Sequence, residues 1–140
     1  MPGLVAIAIP LAIGLHGLKS GGIFSANPGL LPLITGFFIL ARCTYDFYKS
    51  GKGTLAPWSP PQKLVTDNLY RYSRNPMYVA VLLMLFGWTA CFWSPVLATY
   101  TALIAGGFHL RIVFGEEPWL ARTHGKQWDE YRARVPRWLI

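Results

Sequence analysis

Apolar residues along this chain gather into four long, nearly uninterrupted stretches, and the polar residues collect between and after them. A hydrocarbon core about 30 Å thick is crossed by roughly 20 apolar residues in a helix, and by fewer where the flanking residues snorkel. The pattern therefore predicts membrane helices over residues 2–18, 28–48, 76–93 and 95–114. The second carries Arg42 and Asp46 in its last two turns, the third contains no charge, and the fourth has His109 and Arg111 near its end. Little more than Ser94 separates the third from the fourth, so these two must form a tight antiparallel hairpin with "CFWSP" at its tip. Beyond residue 114 the pattern changes: Leu120, His124, Trp128, Tyr131 and Val135 recur at helical spacing opposite a face of Arg, Lys, Asp and Glu. That predicts an amphipathic tail helix lying in the membrane interface, with Gly125 a place for it to bend. The stretch "GKGTLAPWSPPQKLVTDNLY" is rich in Gly and Pro and is expected as extended chain lying over the bundle, not as a linker between domains. The fold class expected is all-α integral membrane: a single domain over residues 1–140, with four transmembrane helices, a C-terminal helical hairpin and an interfacial tail helix.

Composition sharpens this picture. With 53% hydrophobic and only 14% charged residues, the chain fits a small integral membrane protein better than a soluble domain. Its net charge of +7 raises the question of nucleic acid, but the basic residues flank the apolar spans and leave no separate basic face, so no nucleic-acid partner is expected. They instead report topology. Residues 49–75 hold Lys49, Lys52, Lys63, Arg71 and Arg74 against Asp67 alone, and the tail 115–140 adds Arg122, Lys126, Arg132, Arg134 and Arg137. The opposite side offers only Lys19. Positive residues mark the cytoplasmic side, so the N-terminus, the loop and the tail are all expected there in a multi-pass protein. The N-terminus lacks the basic n-region of a secretory signal and is expected as a retained helix. Cys43 and Cys91 stand alone, without CxxC spacing or a His-rich neighbourhood, and are expected as buried thiols with no metal site.

The candidate chemistry lies at the threshold of the third span. Asn75 before Pro76 makes a good helix start, Arg74 can snorkel, and Tyr78 suits an aromatic belt. Those roles explain each residue singly but not the cluster. The hairpin should bring "RYSRNPMY" close to "HLRIVFGEEPWL", where Glu116 and Glu117 stand at a height that makes an unpaired carboxylate costly. Either the acids merely neutralise Arg74 and Arg111, or the group lines a pocket open to cytosol and lipid. Acids, tyrosines and other aromatics suit a cationic, amphipathic, nucleoside-like ligand. No Walker lysine motif, GxGxxG, HExxH or GxSxG occurs. Arg42 and Asp46, four apart, are expected to pair with each other; His16 and His109 are expected as helix-packing histidines, and Gly106 and Gly107 as points of close helix contact.

The run "LVTDNLYRYSRNPMY", then an apolar hairpin, then "EEPWL" and "HGKQWDEYRARVPRWL" resembles the isoprenylcysteine carboxyl methyltransferase and phospholipid methyltransferase group of membrane enzymes. The resemblance covers about residues 53–140. It implies a helical membrane enzyme that binds S-adenosylmethionine on the cytosolic side, between the C-terminal hairpin and the tail, while a lipophilic acceptor arrives from the lipid. Position by position it implies cofactor contacts at Gln62, Lys63, Leu64, Val65, Tyr70, Asn75, Pro76, Met77, Tyr78 and Glu116, with Arg111 orienting an anionic acceptor or head group. The acceptor class implied is an isoprenylcysteine-type carboxylate or a phospholipid amine. The chain departs from the group's pattern at Asn75, where the eukaryotic carboxyl methyltransferases have His, at Asn68, where Gly is usual, and at His124, which replaces an aromatic residue. Two other readings stand beside this one: a sterol-type membrane reductase using NADPH, which shares a similar C-terminal arrangement, and a small non-enzymatic membrane scaffold whose polar cluster pins the hairpin to the tail.

Overall fold

The computed structural model describes residues 3–51 and 64–139, and the regular elements among them are all helical. A π-turn, Leu4–Ala8, leads into α1 (Ile9–Lys19), and α2 (Ala26–Gly51) follows. After a short 3-10 turn at Asn68–Arg71, α3 (Pro76–Phe92) and α4 (Pro95–Arg111) form the hairpin. A second π-turn, Ile112–Glu116, carries α4 into α5 (Glu117–His124), and α6 (Lys126–Arg134) completes the fold. The four predicted apolar helices are therefore present, but the fourth does not stop at residue 114; it runs unbroken to His124. Among the described residues two helices are long and apolar enough to cross a membrane, Pro28–Asp46 and Pro95–His124, whereas Leu4–Lys19 and Pro76–Phe92 are apolar but shorter. The shorter pair reach about 25 Å at 1.5 Å per residue, a few ångströms less than a hydrocarbon core.

Proline decides where the two π-turns fall. Ile9 donates its N–H to the Leu4 carbonyl immediately before Pro10, and Glu117 donates to Ile112 immediately before Pro118. A proline has no N–H for the carbonyl four residues back and its ring crowds that carbonyl, so the chain widens to an i→i−5 register just ahead of it. In the first helix the carbonyls left over find side chains: Trp88 Nε1 donates to Ala6 at 2.9 Å and the Tyr100 hydroxyl to Val5 at 3.3 Å. The distortion thus ties the first helix to α3 and α4.

α3 is the hub of the bundle. Its closest neighbour is α2, and the approach is made possible by small residues. A Cβ on Gly36 would lie 2.7 Å from both the Ala80 carbonyl oxygen and the Met84 side chain, and one on Gly87 would lie 2.6 Å from Leu33. The expected close contacts at Gly106 and Gly107 are absent: both border open space. α4 meets α3 through Thr101, 3.1 Å from Thr89, and through Phe108, and at 100° per residue the two glycines lie about 100° or more around from that stripe. Only Trp93 and Ser94 separate α3 from α4; Trp93 takes a left-handed φ of 46°, and the Ser94 hydroxyl caps the Leu97 N–H. Cys43 and Cys91 are buried, as expected.

Outside this core the surface is apolar. Leu31, Phe38, Leu103 and Phe114 all point outward and exposed, spread over α2, α4 and the second π-turn. An apolar exterior of that extent marks contact with lipid or a partner instead of water. The tail behaves differently from the expectation of one helix resting on the membrane. It breaks at Gly125, whose φ of +49° and ψ of −119° suit only glycine, and its apolar stripe turns onto the chain itself. Trp128, Tyr131 and Val135 are buried against Leu64 and Leu120, and the Tyr131 hydroxyl donates to the Tyr70 carbonyl at 2.7 Å.

Candidate active site

The start of α3 and the end of α4 meet, and Glu116 is the meeting point. The Tyr78 hydroxyl donates to Glu116 Oε1, and Arg111 Nε donates to the same oxygen at 2.9 Å. The Arg111 contact depends on the π-turn. Residues five apart in an α-helix point about 140° away from each other, whereas an i→i−5 turn stacks them on one side. Phe108, one turn earlier on α4, packs its ring 4.4 Å from that of Tyr78 and walls the cluster on the apolar side. The site is open: the Arg111 side chain is 54% exposed and that of Glu116 33%.

Glu117, the next residue, faces elsewhere. Arg137 grips it with two bonds, Nε to Oε1 at 2.8 Å and Nη2 to Oε2 at 2.9 Å, while Arg74 Nη1 lies 3.0 Å from Oε1. Arg74 is largely buried and also lies over the Trp128 ring at 5.4 Å. Burial pushes the Arg74 guanidinium below the ordinary arginine value while Glu117 pulls it back up; the Arg137 guanidinium is held above it by its bond to Glu117. This second cluster fastens the tail across the start of α3. The Arg74 N–H donates to the Pro136 carbonyl at 2.9 Å, and the Arg137 carbonyl accepts from Ser73 Oγ at 3.3 Å and from Asn75 Nδ2 at 3.0 Å.

The residues expected from the sequence fall into three groups. Tyr78, Arg111 and Glu116 are brought together. Asn75, Pro76 and Met77 lie directly beside them, with Pro76 buried at the first position of α3 and Asn75 turned toward the tail backbone. Leu64 packs into the Trp128 cluster, Val65 is buried, and Tyr70 is buried with its carbonyl bound by Tyr131 of the tail. Burial above all, then the negative charges of Asp46 and Glu116, raise the Tyr70 hydroxyl well above the ordinary tyrosine value. Gln62 and Lys63 lie outside the described residues. Both acids pair as the neutralising alternative expects, Glu117 with Arg74 and Glu116 with Arg111, and Glu116 also accepts from Tyr78. Arg42 and Asp46 pair as expected, at 3.3 Å. His109 stacks on Trp138 with ring centroids 6.3 Å apart.

The sequence model of the phospholipid methyltransferase family matches residues 24–127, more than half of the 140 residues, including the whole α3–α4 hairpin and Glu116. The chain belongs to that family. Among curated relatives of this methyltransferase family, it is 32% identical over 74 residues to protein-S-isoprenylcysteine O-methyltransferase B of Arabidopsis thaliana, covering 53% of this chain and 38% of that protein. It is 31% identical over 80 residues to methanethiol S-methyltransferase of Crocosphaera subtropica, covering 54% and 29%. The corresponding enzyme of Schizosaccharomyces pombe, protein-S-isoprenylcysteine O-methyltransferase, is 30% identical over 73 residues, covering 52% and 31%. The match spans less than two-fifths of the length of each of these relatives. No solved structure matches the chain.

One departure from the group's pattern has a conformational explanation. Asn68 takes a left-handed φ of 55°, the region where Gly is favoured and Asn is among the residues best tolerated. Sequence reasoning missed Arg137 and Phe108. The "VPRW" that contains Arg137 carried no signal of its role, because the role depends on a carboxylate 20 residues earlier and a side-chain amide 62 residues earlier. Phe108 lies three residues before Arg111 on the same helix face, and that spacing is a signal the pattern offered.

Proposed function

We propose that the protein is an integral membrane methyltransferase that takes its methyl group from S-adenosylmethionine and transfers it to a lipophilic acceptor. What carries this reading is the convergence of Tyr78, Arg111 and Glu116 at one end of the hairpin, in a chain of the phospholipid methyltransferase family. On this reading α1 to α4 all cross the bilayer, the shorter helices with local thinning or snorkelling at their ends. The N-terminus, residues 49–75 and the tail then face the cytoplasm.

The donors and acceptors present suit this cofactor. Glu116 Oε1 is occupied by Tyr78 and Arg111, which leaves Oε2 as an acceptor. Asn75 spends its Nδ2 on the Arg137 carbonyl, which leaves Oδ1 as a second acceptor. Acceptors beside the Tyr78 and Phe108 ring faces match a ligand with a sulfonium and an ammonium, since aromatic faces attract cations by about 0.5 to 2 kcal/mol. Leu64, Val65, Tyr70, the run Asn75 to Tyr78 and Glu116 would hold it, with Gln62 and Lys63 completing the set. S-adenosylmethionine supplies an electrophilic methyl group on a positively charged sulfur.

What remains for the protein is alignment and dryness. Methyl transfer is an in-line displacement, so holding the acceptor atom in line can supply most of the rate, and expelling water strips solvation from a carboxylate or amine. On this reading Arg111 serves the acceptor side. Glu116 holds its Nε, and its side chain is half exposed. An anionic acceptor, of which an isoprenylcysteine-type carboxylate is one, suits that arginine better than an amine does. No residue acts as a covalent nucleophile. The test is to incubate purified protein with methyl-labelled S-adenosylmethionine and a lipid extract and to identify the labelled product. Transfer by the wild type and its loss in Glu116→Ala is the expected result. No transfer, with no affinity for the cofactor, returns the protein to a scaffold role, and affinity for NADPH in its place would favour the reductase.

A further inference from the structure

A groove of about 520 Å³ lies apart from the Glu116 cluster, between Ile7 of the first helix and Phe37, Leu40, Ala41, Tyr45 and Tyr48 of α2. From Phe37 to Tyr48 the helix advances about 16 Å at 1.5 Å per residue, close to half of a 30 Å hydrocarbon core, which is the depth of one leaflet. The wall is apolar as far as Ala41, Thr44 and the two tyrosines follow, and at that end two cations stand over the Tyr45 ring: Arg42 Cζ and Lys49 Nζ, each 5.9 Å from its centroid. Arg42 is partnered by Asp46, whereas Lys49 forms no ion pair among the described residues. The groove therefore has an oily floor one leaflet deep and a positive, tyrosine-lined mouth.

We propose that this groove holds one phospholipid with an anionic head group. One acyl chain lies along Phe37, Leu40 and Ala41 against Ile7. The phosphate sits at Lys49 with the two tyrosines at the level of the head groups, where tyrosine and lysine are favoured. The proposal needs α2 to cross a bilayer, for which it is long and apolar enough, and it is independent of methyl transfer.

The test uses the full chain in nanodiscs of phosphatidylcholine with a minor share of phosphatidylglycerol, reading retained lipid by native mass spectrometry. The wild type should retain phosphatidylglycerol about fivefold above its share, the enrichment expected from one lysine at an anionic head group. Lys49→Gln, at an exposed position that leaves folding untouched, should bring the enrichment to parity. Ala41→Trp should fill the groove and remove retained lipid of both kinds. Retention of phosphatidylglycerol at no more than its share overturns the proposal, and so does an enrichment that survives Lys49→Gln. A two-chain species abolished by Ala41→Trp also overturns it and assigns the face to a second copy of the protein. None of these readouts involves S-adenosylmethionine, so their failure leaves the proposed activity standing.

Discussion

Glu116 and Glu117 are neighbours in the chain, about 100° apart around one helix, and they do opposite work. Glu117 is enclosed: its side chain is 14% exposed, Arg74 is 9% exposed, and Arg137 binds both carboxylate oxygens. Glu116 is open, its side chain 33% exposed, with one oxygen used by two donors. The difference follows from burial. Removing one member of an enclosed ion cluster leaves a charge without solvent or partner and costs about 3 to 5 kcal/mol, whereas an exposed pair is worth about 0 to 1 kcal/mol. An acid that faces water can afford a vacant lone pair, and a buried one cannot. The two clusters also divide the molecule: one closes the tail over the start of α3, and the other stands partly exposed where the end of α4 meets α3.

The sharpest way to break the comparison is Glu117→Ala. It should lower stability by about 3 kcal/mol, read as a fall of roughly 10 °C in thermal unfolding in detergent. An unchanged midpoint would mean that the enclosed cluster holds nothing together. Next comes Glu116→Ala, expected to weaken S-adenosylmethionine binding about tenfold or more in calorimetric titration, as for loss of a charged hydrogen-bond acceptor, with the midpoint moving by only about 2 °C. If stability fell as far as in Glu117→Ala, the distinction between the two acids would disappear. Tyr78→Phe keeps the ring against Phe108 and deletes only the hydroxyl, so binding should weaken about fivefold at unchanged stability, a loss of about 1 kcal/mol. Least affected should be Arg132→Ala. Its 3.8 Å pair with Asp129 is exposed on both sides, and neither unfolding nor binding should shift by more than about 0.5 kcal/mol.

Much of this was legible in the chain. Apolar run length located the helices, "CFWSP" forced the hairpin, and the hairpin alone was enough to bring Tyr78 toward Glu116. The Leu120, Trp128, Tyr131 and Val135 stripe was visible as an apolar face, but its partner was not: it packs on Leu64 and lies against Tyr70. Small residues were visible too, yet Gly106 and Gly107 drew attention while Gly36 and Gly87 form the close approach. A glycine's presence says that a helix can come near, and only the direction of the packed face says where.

The sequence by itself determined the local conformations: which runs are helical, where proline forbids an N–H, and which segments carry charge. Each of these depends on residues within about one turn, so periodicity and residue type suffice. The tertiary structure decided that two adjacent glutamates serve different partners, that a π-turn sets Arg111 and Glu116 on one side, and that Arg137 reaches back to Asn75. Those outcomes depend on which carbonyls and carboxylates are left without water once the helices pack. That is a property of contacts tens of residues apart, and no local pattern contains it.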